Sequence, residues 1–279
     1  MNGLIYLTYN SAADIRRNWD SLIDNVALPL SVHVIDNAST DDGTDLLENS
    51  GVPVCRNAEN VGYSAGINQG LRHLLDKDVD EFIFIVNPDV KCLPEWDKLL
   101  TEPLADIEDC GIIGARLVFP SGVIVHTGGK IMPKPILLLW PRLYPVTDDI
   151  SVVSNDGLCA TRFVHDTMDY MEPQKCPWAT FAVVALRVDM IKDIGLLDET
   201  YFLYRSDSKY CMRASQAGWD TWYNPITFEH SRSASLQKAP DAIQEQGRRD
   251  MLRFVHEEES TWLQSLEDGR PKKTLRSYA

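Results

Sequence analysis

The chain has 279 residues, room for one large α/β domain or two small ones, and its 44% hydrophobic and 24% charged content is that of an ordinary globular protein. The formal net charge of −14 argues against nucleic acid or an anionic membrane surface as a partner, so any phosphate-bearing ligand must be held locally, by a metal ion, backbone amides or a few placed cations. No apolar run approaches the roughly 20 residues that span a bilayer, "MNGLIYLTYN" lacks a basic leader, and six scattered cysteines (Cys55, Cys92, Cys110, Cys159, Cys176, Cys211) without a C-x-x-C pair read as reduced thiols of a cytoplasmic protein.

The first 120 residues alternate. "LIYLTY" reads as a strand, followed by a helix over "SAADIRRNWDSLIDNV" with Ser11 as N-cap and Ile15, Trp19, Leu22 and Ile23 on one face. "SVHVIDN" is a second strand, "TDDGTDLLENS" a short helix, "VPVCRN" a third strand and "SAGINQGLRHLLDK" a helix. "EFIFIVN" is a fourth strand, apolar enough to be buried on both faces. "PEWDKLLTEPLAD" is a helix with Pro94 in its first turn, and "GIIGARLVF" a fifth strand. This alternation predicts an α/β fold with a mostly parallel sheet flanked by helices. "SGVIVHTGG" reads as a hairpin arm. Residues 130–176 carry five prolines and no periodicity and read as a long irregular insertion. "WATFAVVALRVDMIKDIG" is a strand leading into a helix, "SDSKYCMRASQAG" a helix with Ser206 as N-cap and Gly218 as C-cap, and "WDTWYNP" a late strand. Residues 236–279 read as a C-terminal helical extension of a domain covering 1–235.

In open parallel sheets, ligands bind outside the carboxyl ends of the strands. Polar residues collect there: Thr8, Tyr9 and Asn10 after strand one, Asp36 and Asn37 after strand two, Asn60 and Gly62 after strand three, Asn87 and Asp89 after strand four. Gly62, Gly66 and Gly70 open a helix, either for close packing or to let a nucleotide lie against backbone, with Asn60 and Asn68 offering hydrogen bonds. The G-x-G-x-x-G of a dinucleotide site is missing after strand one, where "TYNSAA" stands. Asp89 is either a turn residue after Pro88 or one carboxylate for a hard cation such as Mg²⁺ or Mn²⁺, which needs only one or two when phosphate oxygens and water complete its shell. Asp207 lies near a helix start, where the dipole favours its charge, and His230 follows the late strand.

Taken in order, "YLTYN", "VIDNASTDDGT", "NVGYSAGINQGL", "IVNPDV", "GARLVFPSG", "GLLDETYFLYRSDSKYCMRASQAGW" and "EHS" resemble the family 2 glycosyltransferases, notably their bacterial rhamnosyltransferase-like branch, from about Leu4 to Ser231. The resemblance implies a GT-A fold, with residues 1–120 binding a nucleoside-diphosphate sugar (UDP- or dTDP-linked) and 121–235 the acceptor, a glycan or lipid-linked saccharide. It implies inverting transfer in bacterial polysaccharide or glycan assembly, with Mn²⁺ or Mg²⁺ as cofactor. It assigns Thr8, Tyr9, Asn10, Asp36, Asn60 and Gly62 to the nucleotide pocket, Asp89 and His230 to the metal, and Asp207 to the catalytic base. Asn37, Asn68 and Asn87 join the donor-side candidates. Trp178 and Tyr204 either stack on sugar faces or belong to the core. The family's Glu-Asp pair and following Asp are Ser206, Asp207 and Lys209 here, which leaves open a nucleotide-sugar-binding scaffold without turnover. A sugar-phosphate nucleotidylyltransferase is the other alternative, although "TYNSAADIRR" lacks the Gly-rich triphosphate loop. The expected location is the cytoplasm, either free or peripheral to the inner face of the membrane.

Overall fold

A computed structural model describes residues 1–77, 79–131, 163–165, 170–231 and 241–257. Eight strands form one path in the order β10-β12-β6-β11-β4-β1-β2-β3, with β5 paired to β12 and β7 to β6. The strands are β1 (Asn2–Thr8), β2 (Leu30–Asp36), β3 (Val54–Arg56), β4 (Phe82–Val86), β5 (Val90–Lys91), β6 (Cys110–Val118), β7 (Ile124–His126), β8 (Gly129–Ile131), β9 (Phe163–His165), β10 (Gln174–Cys176), β11 (Val183–Arg187) and β12 (Asp220–His230). The helices are α1 (Ala12–Ile23), α2 (Gly43–Asn49), α3 (Tyr63–Leu75), α4 (Trp96–Thr101), α5 (Val188–Ile194), α6 (Ser206–Gln216) and α7 (Asp241–Glu257).

β1 pairs in parallel with β2 and β4, and β2 with β3, as the alternation predicts. The second half is mixed. β11 runs antiparallel between β4 and β6, with Val183 beside Val86. It starts where β4 ends, because the chain returns from the segment before it at the carboxyl edge of the sheet. β8 and β9 form a separate two-stranded sheet inside the expected irregular insertion; residues 132–162 and 166–169 of that insertion, Cys159 among them, lie outside the described residues.

β4 explains why a five-residue run with no polar position forms a strand. Ile83 and Ile85 face α3, packing with Ile67, Leu71 and Leu74, while Phe82, Phe84 and Val86 face the other layer with Trp19, Trp96 and Leu100. Both faces are covered, so alternation is unnecessary. Gly70 and Gly66 let α3 approach that sheet: a Cβ at Gly70 would meet Ile5 Cγ1 at 2.8 Å, and one at Gly66 Leu7 Cδ1 at 2.7 Å.

Local capping departs from the expected pattern at three points. Ser11 occupies the N-cap position of α1, but its hydroxyl donates to Tyr9 O; the carboxylate of Asp41 accepts the Ala12 N–H instead, at 2.8 Å. The N-cap of α6 is Arg205 in the left-handed region, with Ser206 as first helical residue. α4 starts two residues beyond Pro94, behind a left-handed Glu95. Gly218 (φ +90) terminates α6 as expected, with Trp219 N–H on Ala214 O and its own N–H on Ser215 O, the paired bonds of a Schellman motif.

α7 is packed onto the main unit. Phe254 is fully buried in the core cluster that contains Ile5, Ile67 and Tyr201. Residues 258–279 of the expected extension lie outside the described residues.

Candidate active site

The carboxyl ends of β1, β2 and β4 are tied into one edge. In β1 and β2, Thr8 and Asp36 are register partners, and Asn37 N–H bonds to Thr8 O at 2.8 Å. Asn10, at φ +50, donates its N–H to Ser39 Oγ and accepts from Thr40 N–H at 2.7 Å, so a strained Asn locks the first loop against the second. Asp36 is buried and accepts Ser39 N–H on both oxygens at 3.2 Å. Among the described residues, the buried Thr8 hydroxyl has no hydrogen-bond partner. An acceptor pair and an orphaned hydroxyl at adjacent strand ends provide polar groups for a ligand edge.

The expected site residues divide into two sets. Asn37 and Asn60 bind the protein itself: Asn37 Nδ2 donates to Asn60 Oδ1 and Gly62 O, both at 3.0 Å, and its Oδ1 accepts from Asn57 Nδ2 and Val61 N–H. Asn68 is also engaged throughout. Its Nδ2 donates to Leu197 O and Glu199 Oε1, and its Oδ1 accepts Leu197 N–H, all at 2.9 Å. The side chain expected to face a nucleotide is instead a strut to residues 197–199, in the second half of the chain. Gly62 has φ +88, and a Cβ there would stand 2.6 Å from the Phe202 ring and 2.7 Å from Phe202 O. The glycine therefore permits contact between two halves of the protein.

Asp89 and His230 come together. After β4, Asn87 O accepts Val90 N–H in a tight turn, and buried Asn18 of α1 donates to Pro88 O at 2.9 Å. β5 then pairs with the end of β12, His230 opposite Val90, and Ser231 N–H and Oγ both bond Asp89 O. These contacts place His230 Nε2 3.2 Å from Asp89 Oδ2, with the side chains 15% and 14% exposed. β12 reaches this point because it continues past Pro225, through a register shift between Asn224 and Thr227, instead of ending there as expected.

This pair fits a divalent cation. Neighbouring ligands of an octahedral ion with bonds of about 2.1 Å lie about 3 Å apart, so the observed spacing needs little adjustment. Among the described residues, His230 Nδ1 is buried without a hydrogen-bond partner. Among the described residues no group of three or more His, Cys, Asp and Glu could hold a metal. The protein would thus supply two donors, leaving the rest to phosphate oxygens and water. Tyr6 lies beneath: burial pushes its hydroxyl well above the ordinary value, and the charges of Asp14 and Asp89 add to the rise.

Asp207 stands in the first turn of α6, half-buried, accepting Ser208 N–H at 2.6 Å. Burial raises Tyr63, and the Asp207 charge raises it further, so the carboxylate lies near the start of α3. Trp178 is 2% exposed; its backbone bonds Gly129, and a Cβ on Gly129 would overlap its indole. Of the two alternatives open for Trp178, sugar face or core, the ring takes the core position. Tyr204 is 37% exposed and packs on Gly247 of α7. The sequence reading missed Asp250, which holds the segment before Asp207. Its signal was a carboxylate on the face shared by Gly247 and Phe254, three and four residues away.

The fold has solved relatives. It superposes on GalNAc-T7 with UDP, GalNAc and Mn²⁺ at a TM-score of 0.63 and 14% identity, over 100% of this chain and 52% of that one, so the chain spans about half of GalNAc-T7. It superposes on the mannosyltransferase PcManGT from Pyrobaculum calidifontis, in complex with GDP-Man and Mn²⁺, at 0.54 and 13% identity over 96% and 73%. In sequence it is 24% identical to an N-acetylglucosaminyl-diphospho-decaprenol L-rhamnosyltransferase of Mycobacterium tuberculosis, over 93% of this chain and 85% of that protein. It is also 24% identical to the low-salt glycan biosynthesis hexosyltransferase Agl10 of Haloferax volcanii, over 76% and 60%. Residues 4–164, more than half of the chain, match the profile of one family, and the protein belongs to it: glycosyl transferase family 2, with a GT-A fold.

Proposed function

We propose that the protein transfers a sugar, with inversion, from a UDP- or dTDP-linked donor to a hydroxyl of a glycan or lipid-linked saccharide, in the presence of Mn²⁺ or Mg²⁺. The observation that carries this reading is the Asp89–His230 pair, 3.2 Å apart at the carboxyl edge of the sheet. Asp36 receives the nucleobase, with Thr8, Tyr9 and Asn10 lining the pocket. Asn87 and Asp89 face the diphosphate. A bound cation supplies positive charge where the departing diphosphate gains negative charge. Asp207 takes the proton of the acceptor hydroxyl on the face opposite the leaving group. Tyr204, partly exposed beside it, borders the acceptor side.

A lipid-linked acceptor is favoured by the decaprenol-linked acceptor in the name of the mycobacterial relative. Among the described residues no helix is long and apolar enough to cross a membrane. We further propose that the reaction runs in the cytoplasm, with the acceptor met at the inner membrane face. Ser206 and Lys209 on either side of Asp207 motivate a second reading, a donor-binding scaffold without turnover. The test is a thermal-shift panel of nucleotide sugars with Mn²⁺, followed by release of nucleoside diphosphate. Stabilisation by a donor with release supports the enzyme. Stabilisation without release under any acceptor supports the scaffold, and no donor-dependent shift contradicts both.

A further inference from the structure

Residues 197–205 lead directly into Asp207, and they are held from two sides. Toward the donor half, Asn68 bonds Leu197, Ser64 Oγ donates to Tyr201 O at 2.6 Å, and Tyr63 N–H bonds Phe202 O. On the other side stands α7. Asp250 is 2% exposed, and its Oδ2 accepts Leu203 N–H at 2.6 Å and Tyr204 N–H at 3.1 Å. Phe254 meets the Tyr201 ring edge-on at 6.4 Å, and Gly247 lies against Tyr204. Arg253 covers the Tyr201 ring at 5.3 Å and donates to Thr200 O.

A carboxylate buried in a helix face is costly unless paired or hydrogen-bonded. Here it satisfies two successive backbone N–H groups in a segment that belongs to no helix or strand. The next residue, Arg205, is in the left-handed region at φ +67, and its carbonyl accepts Lys209 N–H at 2.8 Å to close the first turn of α6. The direction in which that turn presents Asp207 is therefore set by backbone that Asp250 holds.

We propose that Asp250 is a positioning residue for transfer: from α7 it fixes residues 203–204 and thereby aims the Asp207 carboxylate at the acceptor. This rests on Asp207 being the base. Asp250 touches no reacting atom; it acts through the backbone. Misplacing a reacting group by about 1 Å costs on the order of 10²-fold in rate, so the expected loss for Asp250→Ala is about 10- to 100-fold in transfer, with donor affinity unchanged. Asp250→Asn keeps an oxygen that can accept both N–H groups and should recover most of the rate.

The test is a double-mutant cycle on the full chain, reading nucleoside diphosphate release from dTDP-rhamnose and from UDP-N-acetylglucosamine with Mn²⁺, each rate divided by the number of nucleotide-binding sites measured calorimetrically. Site counting removes any loss due to misfolding alone. Amide hydrogen exchange over residues 201–209 is measured on the same variants and needs no turnover. The proposal predicts faster exchange at 203–209 in Asp250→Ala, protection restored in Asp250→Asn, and no further rate loss when Asp250→Ala is added to Asp207→Asn. Unchanged exchange, or a loss that multiplies with that of Asp207→Asn, overturns it. Near-wild-type turnover by Asp207→Asn would instead remove the base assignment.

Discussion

The two carboxylates assigned to chemistry are held in opposite ways. Asp89 lies in the turn after a strand buried on both faces, and strand pairing places its partner: β5 lies on β12, and His230 falls opposite Val90. Asp207 follows a segment that is itself neither strand nor helix, held by α3 on one side and α7 on the other. Ladder hydrogen bonds make the first site a property of the sheet, rigid and hard to perturb without losing the fold. The second is suspended between two elements and can be perturbed from either. Under the proposed function, the diphosphate end of the reaction would sit on the scaffold, while the acceptor end would be adjustable.

The largest effect should come from the rigid site. Asp89→Ala is expected to reduce transfer by at least ~10³-fold, since it removes charge stabilisation at the leaving group; chelation of the wild type should do the same, and steady-state release of nucleoside diphosphate measures both. Asp207→Asn should leave nucleotide binding intact and lower transfer at least ~100-fold, the usual value of a base. Normal transfer by that variant would move the base to another side chain.

The struts come next, and they sharpen the contrast. Gly62→Ala demands a positive φ of a residue with a Cβ and drives that atom into Phe202, so a loss of about 3 kcal/mol in denaturant unfolding is expected. Asn68→Ala leaves the Leu197 N–H and O buried without partners and should cost about 2 kcal/mol, while nucleotide affinity stays unchanged by calorimetry. A large loss of affinity without loss of stability would return Asn68 to the nucleotide pocket.

The smallest effect lies away from both sites. Burial lowers His33 to about 4, and the His73 ring stacked on it at 4.0 Å contributes. The unfolded chain takes up the proton first as pH falls, so the stability tied to a neutral His33 is present above about 6.5 and is lost between there and about 4. His33→Gln should flatten that part of the stability profile relative to wild type, whose carboxylates titrate equally in both proteins.

The first half of the chain was legible because its information is local. "EFIFIVNPD" contains both the two-faced strand and the turn that ends it, and four such strand ends identify an edge. Asn37, Asn60 and Asn68 were legible as polar residues near that edge but not in their roles, because Asn68 reaches its partners across 129 positions of sequence. Periodicity cannot announce such a contact. β12 was read too short because Pro225 normally stops a strand, and the register shift that tolerates it depends on β6 alongside. Asp250 carried no motif at all; its meaning comes from two backbone amides that only the docked helix brings within reach.

We propose that Asp89 and His230, one carboxylate and one imidazole on the rigid edge, bind a cation that holds a nucleoside diphosphate. Titration calorimetry of UDP and dTDP into wild type and Asp89→Ala, each with Mn²⁺ and with chelator, tests it most directly. The account predicts binding by the wild type in Mn²⁺, and its loss both on chelation and in the variant. Equal affinity in all four conditions would contradict it.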